Sequence, residues 1–382
     1  MSSAGHVAER TAVADESVLD ELCAPLFASL PRHDQRRKGV EYLHGLLRAT
    51  GRKSIRNIAH AIGDQATEQY LHHFISDSTW EAVPVRRALA DYVARVARPR
   101  ALVVRPLLIP KAGKHSVGVD KHFSPDLGQT LNAQRAMGVW SVGDEVAVPV
   151  DWRLHLSRAW AADAGRRDRA AIPDCVRAET ELECGIEAYL GVAGQARLPV
   201  VLDARVGDVP AAVTRLRGAG APLLVRVSAT QPLTAVDPAT RLGTEPLAAR
   251  QIMAAVRESR RPVAGRWPLL AASTLVRLPG GQDELVLLGF GSAGHPWPEQ
   301  LWLSDQTGAS AADLLRLSEL LTRVDHDLAR FADRAGMRDF TGRSFAGWHR
   351  HMTLASAAHA VLAMTEALGA PVTLPHQRRG SA

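Results

Sequence analysis

The stretch ALVVRPLLIPKAGKHSVGVD, residues 101–120, joins an apolar run to a basic box that contains a glycine. Its first half predicts one β-strand, because "ALVV" and "LLI" are rich in branched apolar residues. The "HSVGV" at the end of the box predicts a second strand. Arg105 and Pro106 interrupt the apolar run, and a proline inside a strand is typical of an edge or a bulge.

Strands and helices alternate in the residues that follow. The segments "AMGVWSV" and "EVAVPVDWRL" predict an antiparallel hairpin around Gly143 and Asp144. A helix from about 177 to 190 comes next. A buried strand in "RLPVVLDARVG" that ends at Asp203, a helix in "VPAAVTRLRGAG" and a strand in "PLLVRV" then make a βαβ unit.

The last third of the chain predicts two more strands and two long helices. Residues 228–270 read as irregular, with a short helical piece near 248–259, and "STLVRLP" and "ELVLLGF" read as strands. A long helix is predicted over 311–335. A further helix runs from "GWHRHMTL" to about Leu368.

An antiparallel hairpin, then α/β units, then a carboxylate on a late helix is the element order of an RNase H-like fold. We therefore predict an α/β protein: an RNase H-like mixed sheet with flanking helices and an inserted β-rich region, preceded by an N-terminal helical bundle. The predicted domains are a disordered tail over 1–20, a helical DNA-binding domain over 21–98, an RNase H-like domain over 99–368 with an insertion at about 228–300, and a loose tail over 369–382.

The N-terminal third carries the densest basic region. Residues 32–56 hold eight lysines and arginines against Asp34 and Glu41. A helix capped by Ser54 and stopped by Gly63 is followed by a second helix. The spacing alone favours an ordinary αα-hairpin over a DNA-binding helix-turn-helix unit. The basic residues beside it make the two interpretations more nearly equal.

Composition restricts the function further. The net charge is +6, and only five of the 46 basic residues are lysines. Heavy arginine use fits a nucleic-acid partner and fits a GC-rich genome equally well. Three scattered cysteines argue against a zinc site or a disulfide framework. With no apolar run of 18 residues and no secretory leader, we expect no membrane contact and a cytoplasmic, nucleoid-associated location.

An RNase H-like site gathers three carboxylates that hold two Mg²⁺ ions roughly 4 Å apart, and these ions activate water against a phosphodiester. Asp203, at the end of a strand, and Asp325, on the long late helix, are the candidate ligands. For each of the two, a structural role without metal binding is favoured when the residue is considered alone. Asp203 suits a turn or helix cap, and Asp325 suits a solvated helix face.

Three boxes resemble the bacterial insertion-sequence DDE transposases of the 701 group. They are PKAGKHSVGV (110–119), LPVVLDARVG (198–207) and LTRVDHDLARFADRAGMRDFTGRSFAGWHRHMTLASAAHAVLA (321–363). The similarity extends over roughly 30–365. It implies metal-dependent DNA cleavage and strand transfer, Mg²⁺ as the cofactor, double-stranded DNA as the partner, and at least a homodimer, because transposition pairs two DNA ends.

The chain departs from that family at the first acid. The family places an aspartate just before the PKAGKHSVGV box, where this chain has Arg105 and Pro106. Asp203 matches the second acid, and Asp325 stands where the family has glutamate. Exchanging a carboxylate for a guanidinium beside a divalent ion is an unscreened change on the order of 10 kcal/mol. We do not expect Asp120 or Asp126, which are close in sequence, to replace the missing ligand.

Three hypotheses follow. The first is a transposase-derived DNA-binding protein with a lost or crippled nuclease centre, kept as a regulator. The second is an active DDE transposase that uses Mg²⁺ at Asp203 and Asp325. The third is a protein–protein scaffold, which the basic region over 32–56 disfavours. We predict that Trp140, Trp152 and Trp348 are core residues. The residues predicted to contact DNA are Arg36, Arg37, Lys38, Arg52, Lys53, Arg56, Lys111, Lys114, His115, Arg343 and Arg350.

Overall fold

The computed structural model describes residues 17–63, 67–124, 128–192, 197–263 and 269–369. Asp126, most of the predicted N-terminal tail (1–16) and nearly all of the C-terminal one (370–382) lie outside the described residues. None of the helices in the described ranges is long and apolar enough to cross a membrane.

Helices make up the N-terminal region. They are α1 over 17–27, α2 His33–Arg48, α3 Ile55–Ile62, α4 Glu68–Ser76 and α5 Ala82–Ala97. The Ser54 hydroxyl caps α3 by accepting a hydrogen bond from the Asn57 backbone N–H at 3.2 Å. Gly63, at φ +92°, ends that helix in a conformation that glycine adopts without strain. The predicted pair of helices around Gly63 is confirmed.

A mixed sheet forms the middle of the molecule. Its first strands are β1 Ala101–Pro110, β2 Val119–Ser124, β3 Gln129–Val142, β4 Ala147–Leu154, β5 Val200–Asp203 and β6 Leu223–Val227. Strand β1 pairs antiparallel with β3 on one side and parallel with β5 on the other, and β6 continues parallel to β5. Both β2 and β4 pair antiparallel with β3. The predicted α/β, RNase H-like mixed sheet is confirmed.

The sheet continues beyond β6 to twelve strands among the described residues. The added strands are β7 Pro232–Ala235, β8 Leu247–Ala248, β9 Arg261–Val263, β10 Leu269–Arg277, β11 Glu284–Ser292 and β12 Gln300–Ser304, where β12 pairs antiparallel with β6. Four of these, β7, β8, β9 and β12, are too short to show a period in the sequence. The prediction of a strand at "HSVGV" is wrong for 115–118, because Gly118 turns the chain at φ +71° and β2 begins only at Val119.

The remaining helices are α6 Arg158–Ala162, α7 Ala164–Ala170, α8 Glu181–Leu190, α9 Val209–Gly218, α10 Ala249–Ala255, α11 Ala311–Phe331 and α12 Phe345–Gly369. Successive side chains of β1 point to opposite faces. Val104 faces Gly185 on α8, whereas Arg105 reaches α11. Thus α8 and α11 cover opposite faces of the sheet.

Helix α12 joins the sheet to the N-terminal helices and is buried along most of its length. The Tyr42 hydroxyl on α2 lies 2.9 Å from Nδ1 of His351 on α12. Trp140, Trp152 and Trp348 are at most 2% exposed, which confirms that they are core residues. One continuous cluster of buried residues therefore extends from the helical region into the sheet.

Candidate functional site

Three charged side chains lie side by side on neighbouring strands. Val104 on β1 pairs with Leu202 on β5, so the next residue of each strand, Arg105 and Asp203, shares a row. Asp203 in turn pairs with Arg226 on β6. Residues in one row of a sheet point to the same face. The position expected for a first acid therefore adjoins the second acid, but it presents a guanidinium.

Helix α11 brings Asp325 to the same face. The Arg105 guanidinium donates from Nε to Oδ1 of Asp325 at 2.8 Å and from Nη2 to Oδ2 at 2.5 Å. This two-pronged geometry is the strong form of an arginine–carboxylate pair. The Arg105 side chain is 24% exposed and that of Asp325 48%. The residue at the first position thus neutralises the third acid.

Asp203 interacts with two other arginines. The Arg205 guanidinium donates to both carboxylate oxygens, from Nε at 2.9 and 3.0 Å, and Nη1 of Arg226 lies 3.9 Å from Oδ2. Burial raises the pKa of Asp203, but the hydrogen bonds from Arg205 and the charges of Arg205 and Arg226 outweigh burial, so the pKa lies below its ordinary value. Asp203 is therefore an anion held by its own chain.

The net charge of these side chains is positive, whereas the side chains of a divalent metal site carry a net negative charge. Three guanidinium groups, from Arg105, Arg205 and Arg226, face two carboxylates. The pKa of Arg226 is lowered by burial and by the charges of Arg205 and Arg105, so the three cations act on one another. We call these five residues, Arg105, Asp203, Arg205, Arg226 and Asp325, the arginine cluster.

The donor set of the arginine cluster does not fit a divalent cation. Mg²⁺ takes oxygen ligands, and every carboxylate oxygen of Asp203 and Asp325 already accepts from an arginine. In the described ranges no three His, Cys, Asp or Glu side chains are grouped so that they could hold a metal ion.

Asp120 is too distant to supply the missing ligand. It pairs with Ala133 on β3, and Ala133 pairs with Pro110, five residues along β1 from Arg105. At ~3.4 Å per residue and ~4.8 Å per strand, Asp120 lies about 17 Å along and about 10 Å across from Arg105. The expectation that Asp120 does not substitute agrees with this geometry.

Comparison with known proteins shows the family of the chain. The sequence profile of DDE superfamily endonucleases matches residues 25–277, about two thirds of the chain. The chain belongs to this family. Over 155 residues it is 26% identical to the "Probable transposase for insertion sequence element IS701" of Microchaete diplosiphon. That match covers 40% of each protein, so the chain spans about two fifths of this relative's length. The resemblance drawn from the three boxes is confirmed.

Three of the residues predicted to contact DNA in this DDE-family protein are instead buried or half-buried. Lys53 is 6% exposed and its ammonium donates to the Ala49 carbonyl. Lys111 donates to the Phe340 carbonyl at 2.6 Å, and burial lowers its pKa to about 8. Arg350 is 8% exposed and donates to the Trp80 carbonyl at 2.8 Å. These cations already donate to main-chain carbonyls, which the sequence does not reveal, and their contact with DNA stays a prediction.

The other predicted DNA contacts of the helical region differ in how firmly the protein holds them. Arg36 donates to the Leu30 carbonyl at 2.8 Å. The ion pairs are Arg37–Glu41 at 3.5 Å, Lys38–Asp34 at 3.6 Å, Arg52–Asp339 at 3.8 Å and Arg56–Glu68 at 3.7 Å. The Arg37, Arg52 and Arg56 side chains are more than half exposed. Exposed pairs contribute about 0–1 kcal/mol, so a phosphate can displace the carboxylate from these three arginines.

The structure brings Lys114, His115 and Arg343 into one pocket, although Arg343 is far from the other two in sequence. Arg166 and Arg169 line the same pocket, and the sequence analysis missed them. The signal that could have found them is the local run GRRDRA at 165–170, which follows the second strand of the hairpin.

Proposed function

We propose that this protein is a DNA-binding member of the DDE superfamily that does not cut or join DNA. The observation that carries the proposal is the two-pronged ion pair between Arg105 and Asp325. It places a fixed positive charge where the family's chemistry needs a negative one.

The energetics of the arginine cluster support the loss of cleavage. A divalent cation between Asp203 and Asp325 would lie close to two guanidinium groups, because Arg205 is hydrogen-bonded to Asp203 and Arg105 to Asp325. Two like unit charges about 4 Å apart repel by about 4 kcal/mol at an effective dielectric of 20, and a divalent ion doubles this for each arginine. The arginines would have to leave, and the first ligand would still be missing.

The charge distribution supports retained DNA binding. The chain carries a net charge of +6, and Arg37, Arg52 and Arg56 project from the helical region. Arginine forks match phosphate geometry in the same way as they match carboxylates. We propose that the helices over 21–98 form the main DNA-contacting part, and that the protein acts at the nucleoid as a regulator, as a homodimer on paired sites.

Two measurements test this proposal. In a mobility shift with duplex DNA, we expect binding at 50 mM salt that weakens strongly at 200 mM, since phosphate contacts release counterions. No shift at 50 mM would favour the scaffold hypothesis. In a plasmid-nicking assay with Mg²⁺ or Mn²⁺, we expect no metal-dependent nicks. Nicking that Asp203→Ala abolishes would instead establish the second candidate, an active transposase, which the proximity of Asp203 to α11 favours.

A further inference from the structure

The strongest feature outside the arginine cluster is a basic pocket lined in part by the PKAGKHSVGV box (110–119) and by the box over 321–363. We infer that it is a binding site for a phosphate group of DNA, an inference that rests on the proposed DNA binding. The phosphate pocket is lined by Lys114, His115, Arg166, Arg169 and Arg343. None of these residues belongs to the arginine cluster.

Three separate segments build the phosphate pocket. The loop after β1 supplies Lys114 and His115, α7 supplies Arg166 and Arg169, and the segment before α12 supplies Arg343. The cavity measures about 470 Å³. Four permanent positive charges line it, against the single negative charge of Asp163.

Most of these cations have no partner among the residues that the structure describes. Arg166 lies 3.3 Å from Asp163 and covers the Trp160 ring at 5.3 Å. Across the described ranges, no hydrogen bond or ion pair engages the side chains of Lys114, Arg169 or Arg343. By contrast, Arg105 and Arg205, which line another concave surface, are both paired with carboxylates. Unpaired like charges in one cavity repel one another, and a bound anion would relieve that repulsion.

The walls of the phosphate pocket are fixed before any ligand arrives. Trp160 is 3% exposed, and its indole N–H donates to the Val119 carbonyl on β2 at 3.0 Å. The Asp163 carboxylate caps α7 by accepting from the Arg166 backbone N–H at 2.9 Å. Lys111 ties the loop after β1 to the Phe340 carbonyl, which holds Lys114 and Arg343 near each other. A preformed site loses little conformational entropy on binding.

The chemistry of the walls specifies the ligand. Arginine forks bind the oxygens of phosphate in pairs, and lysine adds a point charge. The cavity lies within the range of about 300–1,000 Å³ that holds a small molecule, so it has room for a phosphate with its sugar. On DNA such a group is either an internal phosphodiester or a terminal 5′-phosphate.

The test compares two variants that lose the same charge. Arg169→Gln/Arg343→Gln removes two of the four permanent positive charges that line the phosphate pocket. Arg250→Gln/Arg257→Gln removes two exposed arginines from the opposite end of the sheet, around α10. Binding of a labelled 30-base-pair duplex is followed by fluorescence anisotropy from 50 to 200 mM KCl, with circular dichroism to confirm folding.

For the pocket variant we expect the magnitude of the slope of log K against log salt to fall by up to about 0.9, since the pocket holds one phosphate and each lost phosphate contact removes about 0.9. The control variant should keep the slope of the unaltered protein. Equal slopes for the two variants would overturn the inference. Duplexes with a 5′-phosphate and a 5′-hydroxyl assign the source. An equal loss on both assigns an internal phosphodiester, and a loss confined to the phosphorylated duplex assigns the DNA end.

Inorganic phosphate separates this inference from the proposed function. In thermal unfolding at constant ionic strength, phosphate should stabilise the unaltered protein and the control variant but not the pocket variant. If the unaltered protein binds no DNA, the proposed function fails, and protection by phosphate alone then decides whether the anion pocket stands. Absence of both responses would overturn both.

Discussion

The arginine cluster predicts how the protein responds to Mg²⁺ when an acid is restored. The informative variant is Arg105→Asp/Arg205→Gln, which supplies the first carboxylate and frees Asp203 from its main partner. Arg105→Gln/Arg205→Gln is the matched control, because it removes the same two guanidinium groups without adding a ligand. Arg226 remains in all variants, at 3.9 Å from Asp203.

The magnitude follows from the geometry of the Arg105–Asp325 pair. At about 4 Å, one pair of unit charges is worth about 1 kcal/mol in water and about 4 kcal/mol at an effective dielectric of 20. The Asp325 side chain is 48% exposed, so the aqueous value applies more closely. Turning this attraction into repulsion therefore destabilises the metal-free variant by about 2 kcal/mol. At about 2.1 cal/mol/K per residue, the Tm of a chain this long falls by about 2–3 °C.

Binding of Mg²⁺ should restore that loss. An ion present at 100 times its Kd stabilises the folded state by about 2.7 kcal/mol, or about 3 °C here. The assay is differential scanning calorimetry with 10 mM Mg²⁺ against KCl of equal ionic strength. We expect a Mg²⁺-dependent rise in Tm for Arg105→Asp/Arg205→Gln, and none for Arg105→Gln/Arg205→Gln or the unaltered protein. A Mg²⁺-specific rise in the unaltered protein that disappears in Asp203→Asn would refute the reasoning.

Three further predictions concern the charged groups that tie α12 and its neighbours to the fold. Burial lowers the pKa of His349 well below its ordinary value and that of His351 and His359 to about 4. The stability that these neutral histidines contribute is therefore fully present above pH 6.5 and is lost as the pH falls towards 4. Near pH 5 we expect the free energy of unfolding, measured by chemical denaturation, to fall by about 4 kcal/mol per pH unit. A slope below about 1.4 kcal/mol per pH unit, which corresponds to one proton, would contradict this. Arg350→Ala leaves the Trp80 and Ile75 carbonyls without their donor and should cost about 2–4 kcal/mol in urea unfolding, whereas Arg350→Lys should recover part of this. Lys111→Met should cost about 1–3 kcal/mol by the same measurement and should weaken DNA binding through the phosphate pocket; an unchanged urea midpoint would show that its contact to Phe340 is not structural.

The sequence predicts the fold because its long elements carry clear periods. Strands β1 and β5 are recognisable as apolar runs and α11 as a long amphipathic helix, so the sequence predicts the elements that carry Arg105, Asp203 and Asp325. Strand β12 is not recognisable, since its apolar run is only three residues long and polar residues flank it. Its pairing with β6 is what extends the sheet.

The fate of single cations is much harder to predict. Arg226 reaches Asp203 because β5 and β6 pair in one particular register, which no local pattern reveals. Lys53, Lys111 and Arg350 are of the residue types that contact DNA. Each of them already donates a hydrogen bond to a main-chain carbonyl, either in its own turn or in another part of the fold. Charge type predicts what a side chain can bind, and the tertiary fold decides whether a partner is already present.

We propose that this DDE-family protein binds DNA without cutting it. The most direct test is single-turnover cleavage of a labelled duplex at protein concentrations where anisotropy shows the DNA to be fully bound, with Mg²⁺ or Mn²⁺ and with Asp203→Ala in parallel. We expect full binding and no metal-dependent cleavage above the Asp203→Ala background. Metal-dependent cleavage of the bound duplex that Asp203→Ala removes would contradict it.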